Sequence, residues 1–345
     1  MVDDWRRRLS ALVGMCVAVQ IGCGLDFRRS TIPDRLSDAE FWRLSAEFSE
    51  PAGTFTHSDN LVSNEIHFVH TIRRLRARGG VYIGVGPEQN FSYIARLRPE
   101  MAFIVDIRRE NRNLHLLYKA LFELSSDRAD FLSRLFSRER PAGITAATSV
   151  GAMFDAFGAV AASPGAYEKN VTVIWERLAS QHGFPVTEQD LVWIAQALRA
   201  FQTDGPAIHY GRTLTPDAAG PSYRTLMTAV DTSGTPRSYL ATEDAFSFVK
   251  DLHSRNAIVP VVGDFGGLHA LRAVGEYVRQ HRGVVEAFYG SNVEVYLNRA
   301  KVAAFCANLA TLPYASSTPF IDNKTLHLLA SKLRVCTHSV AEPGL

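Results

Sequence analysis

Two short apolar runs, joined by a helical segment, constrain the fold of this chain more than any other feature. VYIGVG (81–86) and MAFIVDI (101–107) are apolar at nearly every position, and PEQNFSYIARLRP lies between them. Such runs are typical of parallel strands that are buried on both faces, and Pro87 suits the first turn of the intervening helix. We therefore predict a βαβ unit and, with it, a parallel sheet.

The alternation of strand and helix continues in the last third of the chain. The predicted elements are a brief strand at Ser238–Leu240, the helix TEDAFSFVKDLHSRN, the strand IVPVVGDF (258–265), the helix GLHALRAVGEYVRQHRG and the strand VVEAFYGS (284–291). Repeated βα alternation favours a doubly wound sheet. The expected fold class is α/β, with a Rossmann-like, mostly parallel sheet that is interrupted by a helical insert.

The chain divides into five predicted segments. They are a signal peptide or lipoprotein leader (1–30), N-terminal helices with the first βαβ half (31–126), a mainly helical insert (127–235), the second half of the Rossmann-like domain (236–330) and a C-terminal tail (331–345). Ser37 and Glu40 have the spacing of a capping box, which predicts a helix that ends before Pro51. Apolar residues at intervals of three predict a second helix over Ser63–Arg78.

The first thirty residues have the layout of an export signal. Three arginines (6–8) precede an apolar run (11–22), which is short for a membrane span, and Cys23 follows as a candidate lipoprotein cysteine. A buried or amphipathic N-terminal helix is the alternative, which Asp3 and Asp4 favour. We predict an exported or lipid-anchored protein rather than a cytoplasmic one, with membrane anchoring through the N-terminus alone.

Composition excludes several classes of protein and site. With 37 basic and 35 acidic residues the net charge is +2, so charge offers no case for nucleic acid as an obligate partner. The four cysteines (16, 23, 306 and 336) show neither a disulfide framework nor the spacing of a zinc site. The expected partner is a small-molecule ligand, and the oligomeric state is left open.

A glycine-rich turn and an acidic residue predict a pocket for an adenosine-type ligand. Gly84 and Gly86 end the first strand, and Asp106 ends the second, 20 residues beyond Gly86. Glycines there let a ligand approach the backbone, and an acid at the neighbouring strand tip can accept both hydroxyls of a ribose. Ordinary turn chemistry is the alternative for the glycines. The further residues expected to contact this cofactor are Glu88, Asn90, Ile107, Arg108, Asp264 and Phe265.

Asn90 stands where a dinucleotide fingerprint has its third glycine, which weakens the case for NAD or FAD. S-adenosylmethionine has adenosine without a pyrophosphate, and it needs only the first two glycines and the acid. It is therefore the predicted cofactor.

Other strand ends should meet at the same crevice, because open α/β sheets bind ligands beyond the carboxyl ends of their strands. Asp264 lies in GDFGG (263–267), although it could instead cap the next helix. Tyr289, Ser291 and Asn292 end a later strand. We take Asp264 and Tyr289 as candidate catalytic residues and leave the catalytic machinery otherwise unassigned. The residues predicted to contact the substrate are Asn64, Glu65, His115, Tyr118, Ser291 and Asn292.

Two further clusters have competing interpretations. A metal site of Glu65, His67 and His70 can be drawn, but only the two histidines share a helix face, and no metal is predicted. Arg108, Arg109 and Arg112 begin a helix, where positive charge opposes the helix dipole, and this favours an anionic ligand nearby. Solvated arginines on an exposed face are the alternative.

Four segments carry a resemblance to a known family. YIGVGPEQNFSYIARLRPEMAFIVDIRREN, HLLYKALFELS, VPVVGDFGG and FYGSNVEVYL together resemble a poorly characterised bacterial family described as LIC_10091-like, over about Leu36 to Ile321. The resemblance implies a core similar to class I S-adenosylmethionine-dependent methyltransferases. It implies that Gly84 and Gly86 match the GxG turn, Asp106 the ribose acid and Asp264 the strand-four position. The NPPY motif of amine-methylating members is absent.

The sequence thus predicts an S-adenosylmethionine-dependent methyltransferase with an unknown acceptor. The alternative is an exported, non-catalytic protein of the same fold that binds a small molecule or a partner protein, because an exported protein would not normally meet S-adenosylmethionine. A third hypothesis is a hydrolase that acts on an anionic substrate through Asp264 and the Arg108 cluster.

Overall fold

A six-stranded sheet lies at the centre of the computed structural model, which describes residues 30–55, 60–211 and 220–341. The strands are β1 (Val81–Gly84), β2 (Met101–Asp106), β3 (Ile258–Val262), β4 (Val285–Ser291), β5 (Pro319–Asp322) and β6 (Leu326–Leu328). Their order across the sheet is β3-β2-β1-β4-β5-β6, and only β6 is antiparallel to its neighbour. The predicted α/β class and mostly parallel sheet are confirmed, and the strand order is that of a Rossmann-like fold.

Thirteen α-helices are seen within these described residues. They are α1 (Asp38–Glu47), α2 (Phe68–Arg74), α3 (Gln89–Leu97), α4 (Arg109–Leu124), α5 (Arg128–Phe136), α6 (Val150–Ala159), α7 (Pro164–Trp175), α8 (Glu188–Asp204), α9 (Tyr223–Thr228), α10 (Glu243–Ser254), α11 (Ala270–Gln280), α12 (Arg299–Ala310) and α13 (Leu329–Ala341). None of the helices in the described part of the chain is both long and apolar enough to cross a membrane.

Helices cover both faces of the sheet. Every residue of β1, β2 and β3 is buried, as the continuous apolar runs predict. Helices α3, α4 and α10 pack together on one face, and α11 packs against α12 on the other. This arrangement follows from right-handed crossovers, because the chain runs from β1 through β2 to β3 in one direction and returns from β3 to β4 in the other.

The edge strand β3 is covered by the last turn of α1 and the segment that follows it. Pro260 lacks an N–H group, so it is tolerated at an edge, and the Ser45 hydroxyl donates to its carbonyl oxygen at 2.5 Å. The N–H of Val262 donates to Ser49 Oγ at 2.8 Å, and the Val262 carbonyl accepts from Glu50 N–H at 2.8 Å. These contacts satisfy backbone groups that an exposed edge would present to another chain.

The chain between α4 and α10 is mainly helical and contains α5 to α9. Arg128 at the start of α5 is 1% exposed and ties this region to the start of α10, because its Nε donates to Glu243 at 2.8 Å. Asp190 in α8 bonds to side chains of α4. The inserted helices therefore pack directly on the helical layer of the Rossmann-like domain.

Several local predictions are wrong. Ser238–Leu240 forms a turn, since Tyr239 is buried against Tyr223 and its N–H donates to Ser92 Oγ rather than to a strand. The helix predicted over Ser63–Arg78 is confined to α2. The β5–β6 hairpin was not predicted, because its strands are only four and three residues long.

The prediction from cysteine spacing is also wrong. The sequence shows no disulfide framework, yet Cys306 in α12 and Cys336 in α13 form a disulfide with Cα atoms 5.7 Å apart. Their pairing depends on α13 returning to pack against α12, which a separation of 30 residues does not reveal. The predicted leader, apart from its last residue, lies outside the described residues, and so do Cys16 and Cys23.

Candidate functional site

A cavity of about 240 Å³ lies at the carboxyl ends of strands β1 to β4. This is where the strand order reverses, and open α/β sheets bind their ligands at such a point. The predicted site residues that line it are Asn64, Glu65, Gly86, Asp106, Ile107, Arg108, Asp264, Phe265, Tyr289, Ser291 and Asn292. Those that lie outside its lining are Gly84, Glu88, Asn90, His115 and Tyr118.

The two glycines of the turn have different roles. Gly86 has φ +78°, and no atom lies within 4 Å of the position that a Cβ would occupy, so its open side is available to a ligand. A Cβ on Gly84 would instead collide with Asn90 Oδ1 and the Tyr82 ring. Gly84 is therefore required for close packing of strand and helix, and only Gly86 keeps the role predicted for both.

Asn90 holds the turn from behind. Its Nδ2 donates to the carbonyl oxygens of Val85 at 2.9 Å, Gly86 at 3.1 Å and Pro87 at 2.7 Å, while its Oδ1 accepts from Tyr82 OH at 2.9 Å. The side chain is fully buried. Asn90, which was expected to contact a cofactor, lies outside the cavity lining, and its polar atoms bond to the Tyr82 hydroxyl and to the backbone of the turn.

Three other predicted contact residues also support the turn rather than face the cavity. His115 Nε2 lies 2.9 Å from the Gly86 carbonyl oxygen, and burial lowers the pKa of His115 to about 4, so the neutral ring donates there. Glu88 accepts from Ser63 N–H, and burial raises the pKa of Glu88 to about 8. Tyr118 is buried with its ring packed edge-on against Phe91. None of the three lines the cavity.

Gly84→Ala is expected to destabilise the fold by about 1–3 kcal/mol, the usual range for overpacking a core. The added methyl would displace the Asn90 side chain, which holds three carbonyl groups of the turn. Urea unfolding monitored by circular dichroism measures this loss. A variant as stable as wild type would show that the turn can shift at little cost.

The acidic residue expected to hold a ribose is already paired. Asp106 Oδ1 accepts from the backbone N–H of Arg108 at 2.9 Å and from its Nε at 3.0 Å, and Oδ2 accepts from Nη2 at 3.0 Å. The Arg108 guanidinium also donates to Asn60 Oδ1 and lies 5.7 Å from the centre of the Phe55 ring. A ligand hydroxyl must therefore share Asp106 with Arg108.

The neighbouring arginines do not serve the cavity. Arg109 donates to Asp190 at 2.8 and 2.7 Å, and Arg112 donates to Asp190 at 3.2 Å. Asp190 closes the capping box of α8 and lies 78 residues beyond Arg112 in the sequence. The argument for an anionic ligand loses its basis at Arg109 and Arg112, because both bond to an internal carboxylate and neither lines the cavity.

Asp264 lines the cavity at the end of β3, beside its partner Lys301. One carboxylate oxygen accepts from Gly266 N–H at 2.8 Å, and the other accepts from Lys301 Nζ. Asp264 does not cap α11: Glu50 does so, accepting from His269 N–H at 2.6 Å and from Ala270 N–H at 3.2 Å. Glu50 was missed, since no motif in the sequence links it to that helix.

The position assigned to Asp264 in the resemblance is also corrected. Because Ser238–Leu240 is a turn, Asp264 ends the third strand and not the fourth. The strand-four position belongs to Tyr289, Ser291 and Asn292 at the end of β4.

The Glu65 carboxyl is buried on the β4 side of the cavity, in a cluster of hydrogen bonds with Gln89, Tyr289 and Ser291. Its Oε2 accepts from Tyr289 OH at 2.9 Å and from Gln89 Nε2 at 3.2 Å, and its Oε1 accepts from Ser291 Oγ. Burial raises the pKa of Glu65, and these hydrogen bonds offset only part of that rise. The cluster joins the loop before α2 to the end of β4. At its centre the Glu65 carboxylate can accept a proton.

Comparison with known families identifies this domain. A family model described as a domain of unknown function, DUF7790, matches residues 60–197 and 218–332. The chain belongs to the DUF7790 family. The expected membership of a poorly characterised family is confirmed at this level. No curated protein matches the chain.

The DUF7790 chain also brings residues to the cavity that sequence patterns did not indicate. Phe55 and Tyr296 pack edge to face with ring centres 4.8 Å apart, Tyr210 comes from the inserted region, and Lys301 from α12. None of them lies next to the end of a strand in the sequence, whereas the predicted strand-end residues do.

The structure gives no support to a metal centre at the two histidines. The rings of His67 and His70 are 6.3 Å apart. Across residues 30–55, 60–211 and 220–341, no group of three or more His, Cys, Asp or Glu side chains could hold a metal ion.

Proposed function

We propose that this chain binds S-adenosylmethionine in the cavity and transfers its methyl group to a small-molecule acceptor. One observation carries the proposal: Gly86, Asp106 and Asp264, which end three successive strands in the sequence, line a single cavity at the switch point of the sheet. Ile107 and Phe265 add apolar surface beside them.

The residues fit an adenosine group in two respects. The open side of Gly86 leaves room for a ligand to approach the backbone of the turn. Asp106 Oδ2 accepts one hydrogen bond from Arg108, and a carboxylate oxygen has two lone pairs, so it can accept a hydroxyl as well. The cavity lies just below the 300–1,000 Å³ typical of small-molecule sites, so the side chains around it must move outward to admit the whole ligand.

S-adenosylmethionine, when bound, supplies an electrophilic methyl group. Gly86 and Asp106 would hold the adenosine end, and Phe55, Tyr210 and Tyr296 would exclude water. On the opposite side, Tyr289 and Ser291 would orient an acceptor. Such a transfer depends on positioning and exclusion of water more than on acid or base groups.

Calorimetric titration with S-adenosylmethionine tests the proposal. We expect measurable heat with the wild-type chain, and a loss of affinity of tenfold or more in Asp106→Asn and in Gly86→Ala. Gly143→Ala is the matched control, because Gly143 has φ +79°, an open side and no place in the cavity. It should bind like wild type. Absence of heat and of a thermal shift at millimolar ligand would end the proposal.

A second candidate, an exported and non-catalytic binding protein, is favoured by the Cys306–Cys336 disulfide. Disulfides persist in oxidising compartments and are rare in the cytosol, where S-adenosylmethionine is made. Mass spectrometry of the native protein, alkylated before reduction, would report both the mature N-terminus and the state of these cysteines. A cleaved leader with an intact disulfide favours this candidate, and free thiols with an intact leader favour the methyltransferase.

A further inference from the structure

Ser291 has a backbone conformation that is unusual for the end of a strand, at a shift in the register between β4 and β5. Five residues other than glycine have positive φ within the described part of the chain: Arg98, Ser137, Asn256, Arg282 and Ser291. The first four lie one or two residues beyond the ends of α3, α5, α10 and α11, where a left-handed residue closes a helix. Ser291, at φ +49°, instead ends β4. Strain of this kind is concentrated at functional sites.

The turn at Ser291 places its hydroxyl against a base. The chain passes from β4 through Ser291 into the short 3₁₀ helix Val293–Tyr296, and a strained strand-to-helix turn is the setting that exposes a nucleophilic serine in hydrolases of the α/β type. Ser291 lines the cavity, and its Oγ donates to Glu65 Oε1. Serine becomes a nucleophile when an adjacent base accepts its proton.

The hydrogen bonds to Glu65 suit the ionised form, which can act as this base. It is 8% exposed, and all three neighbours on it are donors, namely Tyr289 OH, Gln89 Nε2 and Ser291 Oγ. An ionised carboxylate accepts hydrogen bonds only, so it can take all three of these donors. Burial raises the pKa of Glu65, which makes the carboxylate a stronger proton acceptor.

The walls of the cavity indicate the class of substrate. The cationic side chains among its described lining residues are Arg108 and Lys301, and each is paired with an aspartate. Val293, Tyr296 and Leu297, which follow Ser291, are apolar or aromatic. An uncharged ester with a small acyl group suits such a surface better than an anion does.

We propose that Ser291 is a nucleophile, with Glu65 as its general base, that cleaves small uncharged carboxylic esters. Ser291 Oγ bonds to the ester carbonyl carbon as its proton passes to Glu65. The bond from that carbon to the alcohol oxygen breaks, and the alcohol leaves with this proton. The oxygen of a water molecule then bonds to the acyl carbon as one of its protons passes to Glu65. The bond from that carbon to Ser291 Oγ breaks, the carboxylic acid is released, and the proton returns from Glu65 to Ser291 Oγ.

This inference does not depend on the binding of S-adenosylmethionine, and its test uses other probes. The purified full-length chain is treated with a fluorophosphonate, and the adduct is located by peptide mass spectrometry. We expect the adduct on Ser291, together with release of p-nitrophenol from p-nitrophenyl acetate. Ser291→Ala should abolish both. Glu65→Gln should slow labelling by about 100-fold or more, the usual contribution of a general base.

Ser317→Ala is the control, because this exposed serine precedes β5 at the other end of the sheet, and it should label like wild type. An adduct on another residue, or none after hours at millimolar probe, would overturn the proposal. Labelling of Glu65→Gln at the wild-type rate would remove Glu65 from it. Mapping the adduct on the wild-type chain needs no variant, so poor folding of Ser291→Ala would not leave the question open.

Discussion

Replacing Arg128 with alanine is expected to destabilise the folded chain by about 3–5 kcal/mol, the range for breaking a buried ion pair. Arg128 is 1% exposed, and its guanidinium donates to Glu243 at 2.8 Å. It also donates to four backbone carbonyls, those of Ala146, Thr148, Leu240 and Ala241, at 2.8 to 3.1 Å. Alanine would leave these acceptors without a partner. Urea unfolding of both proteins at pH 7 measures the difference.

Arg140→Ala is the matched control for this prediction. Arg140 pairs with Asp127 at 2.9 Å near the same helix, but its side chain is 38% exposed. An exposed pair contributes about 0–1 kcal/mol, so this variant should unfold close to wild type. Equal losses in the two variants would show that burial of Arg128 is not what makes its contacts stabilising.

Asp190→Asn is expected to cost about 3 kcal/mol at pH 7, because it leaves the buried Arg112 without its carboxylate. The Asp190 side chain is 3% exposed and the Arg112 side chain 12%. Burial alone would raise the pKa of Asp190, but hydrogen bonds from Arg109, Asn113 and Thr187 outweigh it and hold the pKa well below its usual range.

The cost of this substitution should depend on pH. A pKa that is lower in the folded state than in the unfolded state stabilises the fold fully above the unfolded value, about 3.9 for aspartate. That contribution is lost as the pH falls through the folded pKa. The difference between wild type and Asp190→Asn should therefore be complete at pH 7 and shrink below pH 4.

Unfolding free energies at several pH values test this dependence. Asp251→Asn serves as the control, since Asp251 is 57% exposed in its pair with Arg255 and should show little effect at any pH. A difference between wild type and Asp190→Asn that stayed constant down to pH 3 would assign the stabilisation to shape rather than to charge.

Much of the cavity could be predicted from strand ends. Gly86, Asp106, Asp264 and Ser291 each lie at or just beyond the end of an apolar run, and all four line the cavity. This works because parallel strands present their carboxyl ends at one edge of the sheet. The same rule also selected Gly84, which lies outside the cavity lining, because it does not show which glycine faces the cavity and which faces a helix.

Contacts between distant segments could not be predicted in the same way. Glu65 meets Ser291 across 226 residues, and the Arg109 guanidinium meets Asp190 across 81. Each pair depends on how whole helices and strands pack against each other. A loop has no periodic sequence pattern from which its contacts could be predicted. The argument for an anionic ligand lost its basis for this reason, since Arg109 and Arg112 bond to an internal carboxylate.

Apolar periodicity and the spacing of strand ends were enough to establish an α/β chain with a parallel sheet and a crevice at its carboxyl edge. Both follow from local rules, because a strand that is buried on two faces must be apolar at every position. The state of each group in the crevice depended on packing. The charge and the proton acceptors in the crevice are set by three pairings: Arg108 with Asp106, Lys301 with Asp264, and two hydroxyls with Glu65. The reason is that the protonation and charge of a buried polar group depend on the charges and hydrogen-bond partners around it.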